Sequence, residues 1–505
     1  MSSSATEESY HHKNSNNIVM FPFMAQGHII PFLALAHHIE RTQNHSRITF
    51  VNTKLNIQKL RSSLPPDSTI HLLEIPFESS DHGLPPATEN TDVLPYPLIV
   101  RLLDASTSLR PAFKTLVHDL IAGGDRPLCI ISDIFFGWTA TVAKELGVFH
   151  AVFSGAGGYG LACYYSIWTS LPPRQSEEFA LEDFEGIRIQ KTQLPLSILE
   201  ADGSDSWSLF QNKNLPAWVD SSGILFNTVE EFDWIGLSYF KKKLGIPAWA
   251  IGPVLLSSES RDRAGKSSES GVSSNSCKAW LDGKPERSVL YVSFGSHNTI
   301  SPAQMMELGK ALESSGRNFI WAVRPPIGFD INSDFRSEEW LPEGFEEKTS
   351  GRGLLVKKWA PQVEILSHRA TGGFLTHCGW NSVLESLSFG VPMIGWAMAG
   401  EQFFNVKFLE EELGVCVEAA RGKTCEVSSE AIREKIEMVM NGEGEKGIEI
   451  RRKASEVKEM MRKAMCDSEA GGKGSSLKSL DEFFMAAKKS MTATAERSSD
   501  EPVVG

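Results

Sequence analysis

Apolar runs of strand length alternate with helix-like segments through both halves of this 505-residue chain, and the alternation predicts an α/β fold with mainly parallel sheets flanked by helices. Two further observations support it. The first apolar run turns through glycine directly into a helix-like segment, as a parallel strand must before its crossover. A Ser-rich stretch from Ser257 to Ser276 then separates two halves that show the same alternation. The expected division is a disordered N-terminus over 1–16, a first domain over 17–257, a flexible linker over 258–277, a second domain over 278–470, a last helix over 471–489 and a disordered tail over 490–505.

In order, NIVMFPF (Asn17 to Phe23) is the first strand, and MAQGHIIPFLALAHHIE follows it. Pro31 suits a first helical turn, and apolar residues recur at helical spacing from Phe32. His28 falls in the turn, where its side chain can either project into a cleft or bond the local backbone. RITFVNT (Arg47 to Thr53) and IHLLEIPF (Ile70 to Phe77) read as strands around a helix near Ile57 to Ser63. A Pro-rich loop (Leu84 to Tyr96) and a helical segment from Leu98 to Ile121 lead to PLCIISD, a buried strand with Asp133 at its tip. Tips of parallel strands share one edge, so His28 and Asp133 can meet.

Just beyond, Gly155 to Gly160 read GAGGYG and satisfy G-x-G-x-x-G between a strand and a helix-like stretch. A dinucleotide site would need a second strand ending in an acid about twenty residues on. The chain offers SLPPRQSEEFALEDFEG there, so the glycines are better read as letting a helix start close to the sheet. Tyr159, Tyr164, Tyr165 and Trp168 either line an acceptor pocket or pack in the core. Pro172 to Pro216, rich in acid, Pro and Ser, reads as a flexible lid, and GILFNTVEEFD and PAWAIGPV complete the first half.

The second half restarts with SVLYVSFGS, a strand ending at Gly295 and Ser296, and SPAQMMELGKALESSG carries the cap and first-turn Pro of a helix. NFIWAVRPP, GLLVKKWAP, GGFLTHCG and VPMIGWA continue the strands. Helices are expected after Gln402, from Ser428 to Met440, from Gly447 to Ala464 and in GGKGSSLKSLDEFFMAAKK.

Composition limits the partners. Hydrophobic residues make up 41% and charged residues 22%, as in ordinary globular proteins. A formal net charge of −13, with no basic cluster beyond short runs such as Lys241 to Lys243, argues against nucleic acid. No apolar run approaches the roughly 20 residues of a membrane span, and MSSSATEESYHHKNSNN has no signal-peptide core. Seven cysteines without paired metal-ligand spacing are expected as free thiols in a reducing, cytoplasmic compartment.

The chemistry concentrates between Trp359 and Gln402, in WAPQVEILSHRATGGFLTHCGWNSVLESLSFGVPMIGWAMAGEQ. Gly373 to Thr376 reads as a short strand, Gly379 as a tight turn and Asn381 as the beginning of a helix. Free amides at such a helix start favour an anion, and Asn381, Ser382 and His377 add polar groups, which suits a diphosphate. Glu385, one turn on, offers acceptors to a ribose diol. Trp359 offers a flat ring to a base. Glu401 and Gln402 end an apolar run, where open α/β sheets bind ligands.

With W-A-P-Q at its start, H-C-G-W-N-S inside it and an acid followed by Gln at its end, this stretch resembles the signature box of plant secondary-product UDP-glycosyltransferases. The resemblance extends over Asn17 to Lys489 and implies two facing Rossmann-like domains, the GT-B arrangement, with the acceptor held by the first and the UDP-sugar by the second. It implies that Trp359 stacks on uracil, that Ala360 and Gln362 help hold the nucleoside, and that Glu385 binds the ribose. His377, Asn381, Ser382 and Ser296 would hold the diphosphate, with Trp380, Glu401 and Gln402 against the sugar. Gln402 points to glucose over galactose, while Glu401 stands where Asp is commoner and Ala397 where Pro is commoner. His28 would be the base and Asp133 its partner in an inverting transfer.

No cofactor or metal is expected, since no Asp-x-Asp triplet occurs in the chain. The partners implied are a UDP-sugar and a small hydrophobic, hydroxylated acceptor, met by a monomer. The competing readings are a nicotinamide oxidoreductase, resting on GAGGYG alone, and a catalytically silent UDP-sugar-binding protein.

Overall fold

The computed structural model describes residues 16–43, 46–173, 175–255, 274–295, 298–331, 333–357, 359–423, 425–468 and 471–500. Two parallel sheets organise it. The first is built from β1 (Asn16–Phe21), β2 (Ser46–Thr53), β3 (His71–Ile75), β4 (Pro127–Asp133), β5 (Phe149–Ser154), β6 (Gly223–Phe226) and β7 (Ala248–Ala250), in the order β3-β2-β1-β4-β5-β6-β7. Helices α1 (Gln26–Thr42), α2 (Gly158–Thr169) and α3 (Glu230–Leu244) follow β1, β5 and β6.

Both faces of β1 are covered, which is why its sequence is a continuous apolar run. Ile18 and Met20 join Phe32 and Leu35 of α1 in one cluster. Val19 and Phe21 join Leu102 and Phe113 in another on the opposite face.

The second sheet contains β8 (Val289–Ser293), β9 (Asn318–Val323), β10 (Gly353–Lys357), β11 (Thr371–Thr376), β12 (Met393–Ala397) and β13 (Cys416–Arg421), ordered β10-β9-β8-β11-β12-β13. Its helices include α4 (Pro302–Ser315), α5 (Trp380–Phe389) and α6 (Gln402–Lys407). Ser301 caps α4 by accepting from the Gln304 amide at 3.2 Å, with Gln304 returning the bond in a capping box. The last helix, α7 (Ser475–Asp500), returns to the first sheet: Leu480, Phe483, Phe484 and Ala487 pack in the cluster of Ile18 and Trp249.

In both sheets the chain leaves the central pair of strands in opposite directions. Such a reversal opens a crevice at the strands' C-terminal ends. In the first sheet the crevice lies between β1 and β4, in the second between β8 and β11.

Three expectations are corrected. Helix α7 continues past Lys489 to Asp500, so the part of the expected tail that the structure describes is helical. A helix, Ser274–Asp282, begins inside the stretch 258–277 assigned to a linker, whose residues 258–273 lie outside the described residues, as does the N-terminus over 1–15. The expected flexible lid is also structured. A hairpin pairs Glu178–Ala180 with Arg188–Gln190, and Asp205 caps helix Ser206–Asn214 through the Trp207 and Ser208 amides. Proline breaks the periodicity there without removing the short elements between the breaks.

Candidate active site

His28 sits in the first turn of α1, directly after β1, and Asp133 ends β4. The strand order therefore places them at one crevice, where His28 Nδ1 meets Asp133 Oδ2 at 2.9 Å. Asp133 is buried, and its other oxygen accepts from the Phe135 amide at 3.0 Å. Nδ1 is thereby held as the protonated nitrogen, leaving Nε2 as acceptor. The rings of Phe23 and Phe135 flank the imidazole, with centres 5.6 and 5.1 Å away. Burial works to lower the His28 pKa. The charge and hydrogen bond of Asp133, helped by Glu401, outweigh it and hold the pKa above the ordinary histidine value.

The opposite crevice is formed by the turns after β8 and β11. A Cβ on Gly295 would stand 2.8 Å from the His377 ring, and one on Gly379 would stand 2.5 Å from it. Glycine at both positions is what lets the imidazole lie between the two turns. Ser296 lies outside the described residues.

Residue Cys378 has φ 58°, a left-handed conformation costing an L-residue roughly 1–2 kcal/mol. Its carbonyl accepts from Asn405 Nδ2 at 3.0 Å and its amide bonds Thr376 Oγ1 at 3.3 Å, which hold the turn. Asn405 was not anticipated. A lone Asn among Phe403, Phe404 and Val406 was the available signal.

Beyond the turn, Gln362 organises the groups expected at the nucleoside. Its Nε2 donates to Glu385 Oε2 at 2.7 Å and to Ser382 Oγ at 3.1 Å, and its Oε1 accepts from the Tyr291 hydroxyl at 3.3 Å. Glu385 is buried, so this amide bond fixes a carboxylate that water barely reaches. Trp359 is half-buried just past β10, next to the buried Ala360. Gln402 Oε1 accepts from the Met398 and Ala399 amides, both at 3.0 Å. The Gln402 carbonyl oxygen is thereby committed to the main chain, and its NH₂ is the group left to donate. Burial raises the Glu401 pKa against the influence of the His28 charge.

Two of the expected donor residues also reach the first domain. Asn381 Nδ2 donates to the Gly27 carbonyl at 3.3 Å, bringing the start of α5 against the residue before His28. Trp380 is buried and gives its indole N–H to the Asn227 carbonyl at 2.7 Å, so its side chain is not the group that could face a sugar. What Trp380 can still offer is its main-chain amide, at the first position of α5, where no intrahelical partner exists.

The GAGGYG run is the other half of this junction. A Cβ on Gly155 would come 2.9 Å from Pro31, and one on Gly157 would come 2.7 Å from the Trp380 ring. Gly158 meets the backbone of Gly236 on α3, and Gly160 meets the Asn405 side chain. The amides of Gly158 and Tyr159 at the start of α2 are both taken by Asp233, at 2.6 and 2.9 Å. Burial pushes the Asp233 carboxyl up to about 6, against those donors. A pyrophosphate would find this helix terminus already occupied by a carboxylate. Tyr159 stacks on Phe408 and meets Phe184 at a tilt, and Tyr165 packs on Trp218 and Phe240, which makes both core residues.

Facing crevices in two parallel α/β sheets, with a His–Asp pair in one and an anion-suited helix start in the other, are the marks of a GT-B glycosyltransferase. Residues 262–452 match the sequence profile described as UDP-glucoronosyl and UDP-glucosyl transferase. UDP-glycosyltransferase 92A1 of Arabidopsis thaliana is 53% identical over 478 residues, 92% of this chain and 96% of that protein. Crocetin glucosyltransferase 3 of Crocus sativus is 43% identical over 443 residues, 85% and 91% of the two chains. The structure of Phytolacca americana UGT2 complexed with UDP-2fluoro-glucose and pterostilbene matches with a TM-score of 0.77 at 26% identity, covering 94% of this chain and 100% of that one. The chain belongs to the plant UDP-glycosyltransferases, which transfer a glycosyl group from a UDP-sugar to a small-molecule acceptor.

Proposed function

We propose that this protein is an inverting glucosyltransferase that moves glucose from UDP-glucose to a hydroxyl of a small plant metabolite such as a flavonoid or terpenoid. The observation that carries the reading is the 2.9 Å contact between His28 Nδ1 and Asp133 at the first sheet's crevice. His28 Nε2 takes the proton of the acceptor hydroxyl, and the freed oxygen attacks C1 of the sugar from the face opposite UDP. The bond from C1 to the acceptor oxygen forms as the bond from C1 to the phosphate oxygen breaks. An α-linked donor gives a β-glycoside. Asp133 stabilises the imidazolium, which later loses its proton to solvent.

In this reading the departing diphosphate is met by the amides at the start of α5, by His377, Asn381 and Ser382, and by Ser296. Trp359, Ala360, Gln362 and Glu385 hold the uridine. Glu401 and the NH₂ of Gln402 bond the sugar hydroxyls, together with the Trp380 main-chain amide. These groups supply the charge complementarity, so the proposed mechanism uses no metal or cofactor. The choice of glucose rests on Gln402 and on the glucosyltransferase name of the crocetin relative. We place the protein in the cytosol as a monomer, with its seven thiols free. Among the described residues no helix is long and apolar enough to cross a membrane.

The test is transfer from UDP-glucose to a flavonoid and triterpenoid alcohol panel, with proton NMR of the product. A large axial–axial coupling at the anomeric proton is expected. An α-linked product contradicts the inverting mechanism.

A further inference from the structure

At the edge of the second sheet beyond Glu401 and Gln402, the end of β13 is tied to the first domain. Arg421 Nη1 donates to Gln190 Oε1 at 2.6 Å and Thr192 Oγ1 at 2.5 Å, while its other nitrogens pair with Glu418. Two residues on, Lys423 Nζ stands 5.7 Å from the centre of the Tyr96 ring. Tyr96 stacks on Trp207, ring centres 6.5 Å apart. The segment leading to Tyr96 is anchored beside the crevice, because the Thr91 amide donates to the Met24 carbonyl at 3.0 Å, four residues before His28. The Lys423 ammonium therefore lies between the domains, against the wall that follows the proposed base in space.

This ammonium lacks an acid. Among the described residues no carboxylate lies within 4.0 Å of it, whereas Arg421 next to it has Glu418. Burial holds the lysine below its ordinary pKa, and no neighbouring negative charge offsets that. An ammonium partly withdrawn from water over a ring face carries a desolvation cost that an anion would relieve. Strand β13, which ends two residues before Lys423, lies two places from β11, whose end leads to His377, so the lysine follows the same sheet edge as the phosphate turn.

We propose that Lys423 is an anion subsite of the acceptor pocket, taking a carboxylate on the acceptor at the opposite end from the hydroxyl that receives the sugar. The inference rests on the transferase reading and narrows it to acidic acceptors. A carboxylate bound there exchanges its water for one charge-assisted bond and orients the molecule with its hydroxyl toward His28.

The experiment compares 4-hydroxycinnamic acid with its methyl ester as acceptors for UDP-glucose, counting only the 4-O-glucoside after chromatographic separation from the isomeric glucose ester, which alkali cleaves, in wild type, Lys423→Met and Lys423→Arg. Wild type is expected to favour the acid at least tenfold in kcat/KM. Lys423→Met should remove that preference through KM, leaving kcat and the ester unchanged, and Lys423→Arg should restore most of it. Calorimetry on UDP-saturated protein should show the acid binding more tightly than the ester in wild type alone. Equal use of acid and ester by wild type, or an equal loss of both in Lys423→Met, overturns the subsite while the transferase stands. Failure to consume UDP-glucose with either acceptor or with neutral phenols overturns the transferase reading as well.

Discussion

The imidazole of His28 is set by neighbours of opposite effect, and the balance can be read from the pH dependence of transfer. A base must be unprotonated to act, so activity rises with pH through its pKa. Asp133 holds that pKa above the ordinary value of 6.5, so the acid limb of kcat/KM should fall above pH 6.5. In Asp133→Asn the charge is gone and burial prevails, so the limb should shift to lower pH while the plateau drops with the lost support of the imidazolium. A limb that stays in place in that variant contradicts the pairing. Both residues were legible in the sequence because Asp133 ends a strand-like run and His28 lies in the turn that follows one, and parallel strands bring such ends together. Trp380 stands out in the sequence, but its contact does not. Its spacing in HCGWNS says nothing of the Asn227 carbonyl 153 residues earlier that takes its indole proton.

At the scale of elements, α2 and α3 cross so closely that only glycine fits. A Cβ on Gly236 would run into the Gly158 and Tyr159 backbone. Gly236→Ala is therefore expected to cost about 1–3 kcal/mol through overpacking, despite the better helix propensity of alanine. Denaturant titration of the variant would show it as a lower midpoint, and an unchanged midpoint would mean that the helices separate freely. GAGGYG shows where local pattern misleads. The run has the spacing of a dinucleotide loop, yet its glycines answer to Pro31, Trp380, Gly236 and Asn405, none of them nearby in sequence. The segment Pro172 to Pro216 failed for the opposite reason. Its hairpin and short helices owe their order to partners such as Arg421, which composition cannot reveal.

Across the whole molecule, the two sheets were legible from strand runs, and the order common to both explains why the two crevices carry the chemistry. What sequence could not supply is how the halves are joined. Asn381 reaches Gly27, Trp380 reaches Asn227, Arg421 reaches Gln190 and Thr192, and α7 returns to cover the first sheet. Truncation before Ser475 would uncover Leu480, Phe483, Phe484 and Ala487. At about 1.5–3 kcal/mol for each large apolar side chain, the loss should exceed 4 kcal/mol or so and appear as a markedly lower melting temperature. Unaltered melting would show that α7 adds nothing to the first domain. The central claim is that a base in the first domain acts on a UDP-sugar held by the second. It is tested most directly by UDP release from UDP-glucose with a phenolic acceptor, in wild type and His28→Ala, alongside calorimetric binding of UDP-glucose. The account predicts turnover lower by about 10²–10⁴-fold with donor affinity nearly unchanged, and undiminished turnover in His28→Ala would contradict it.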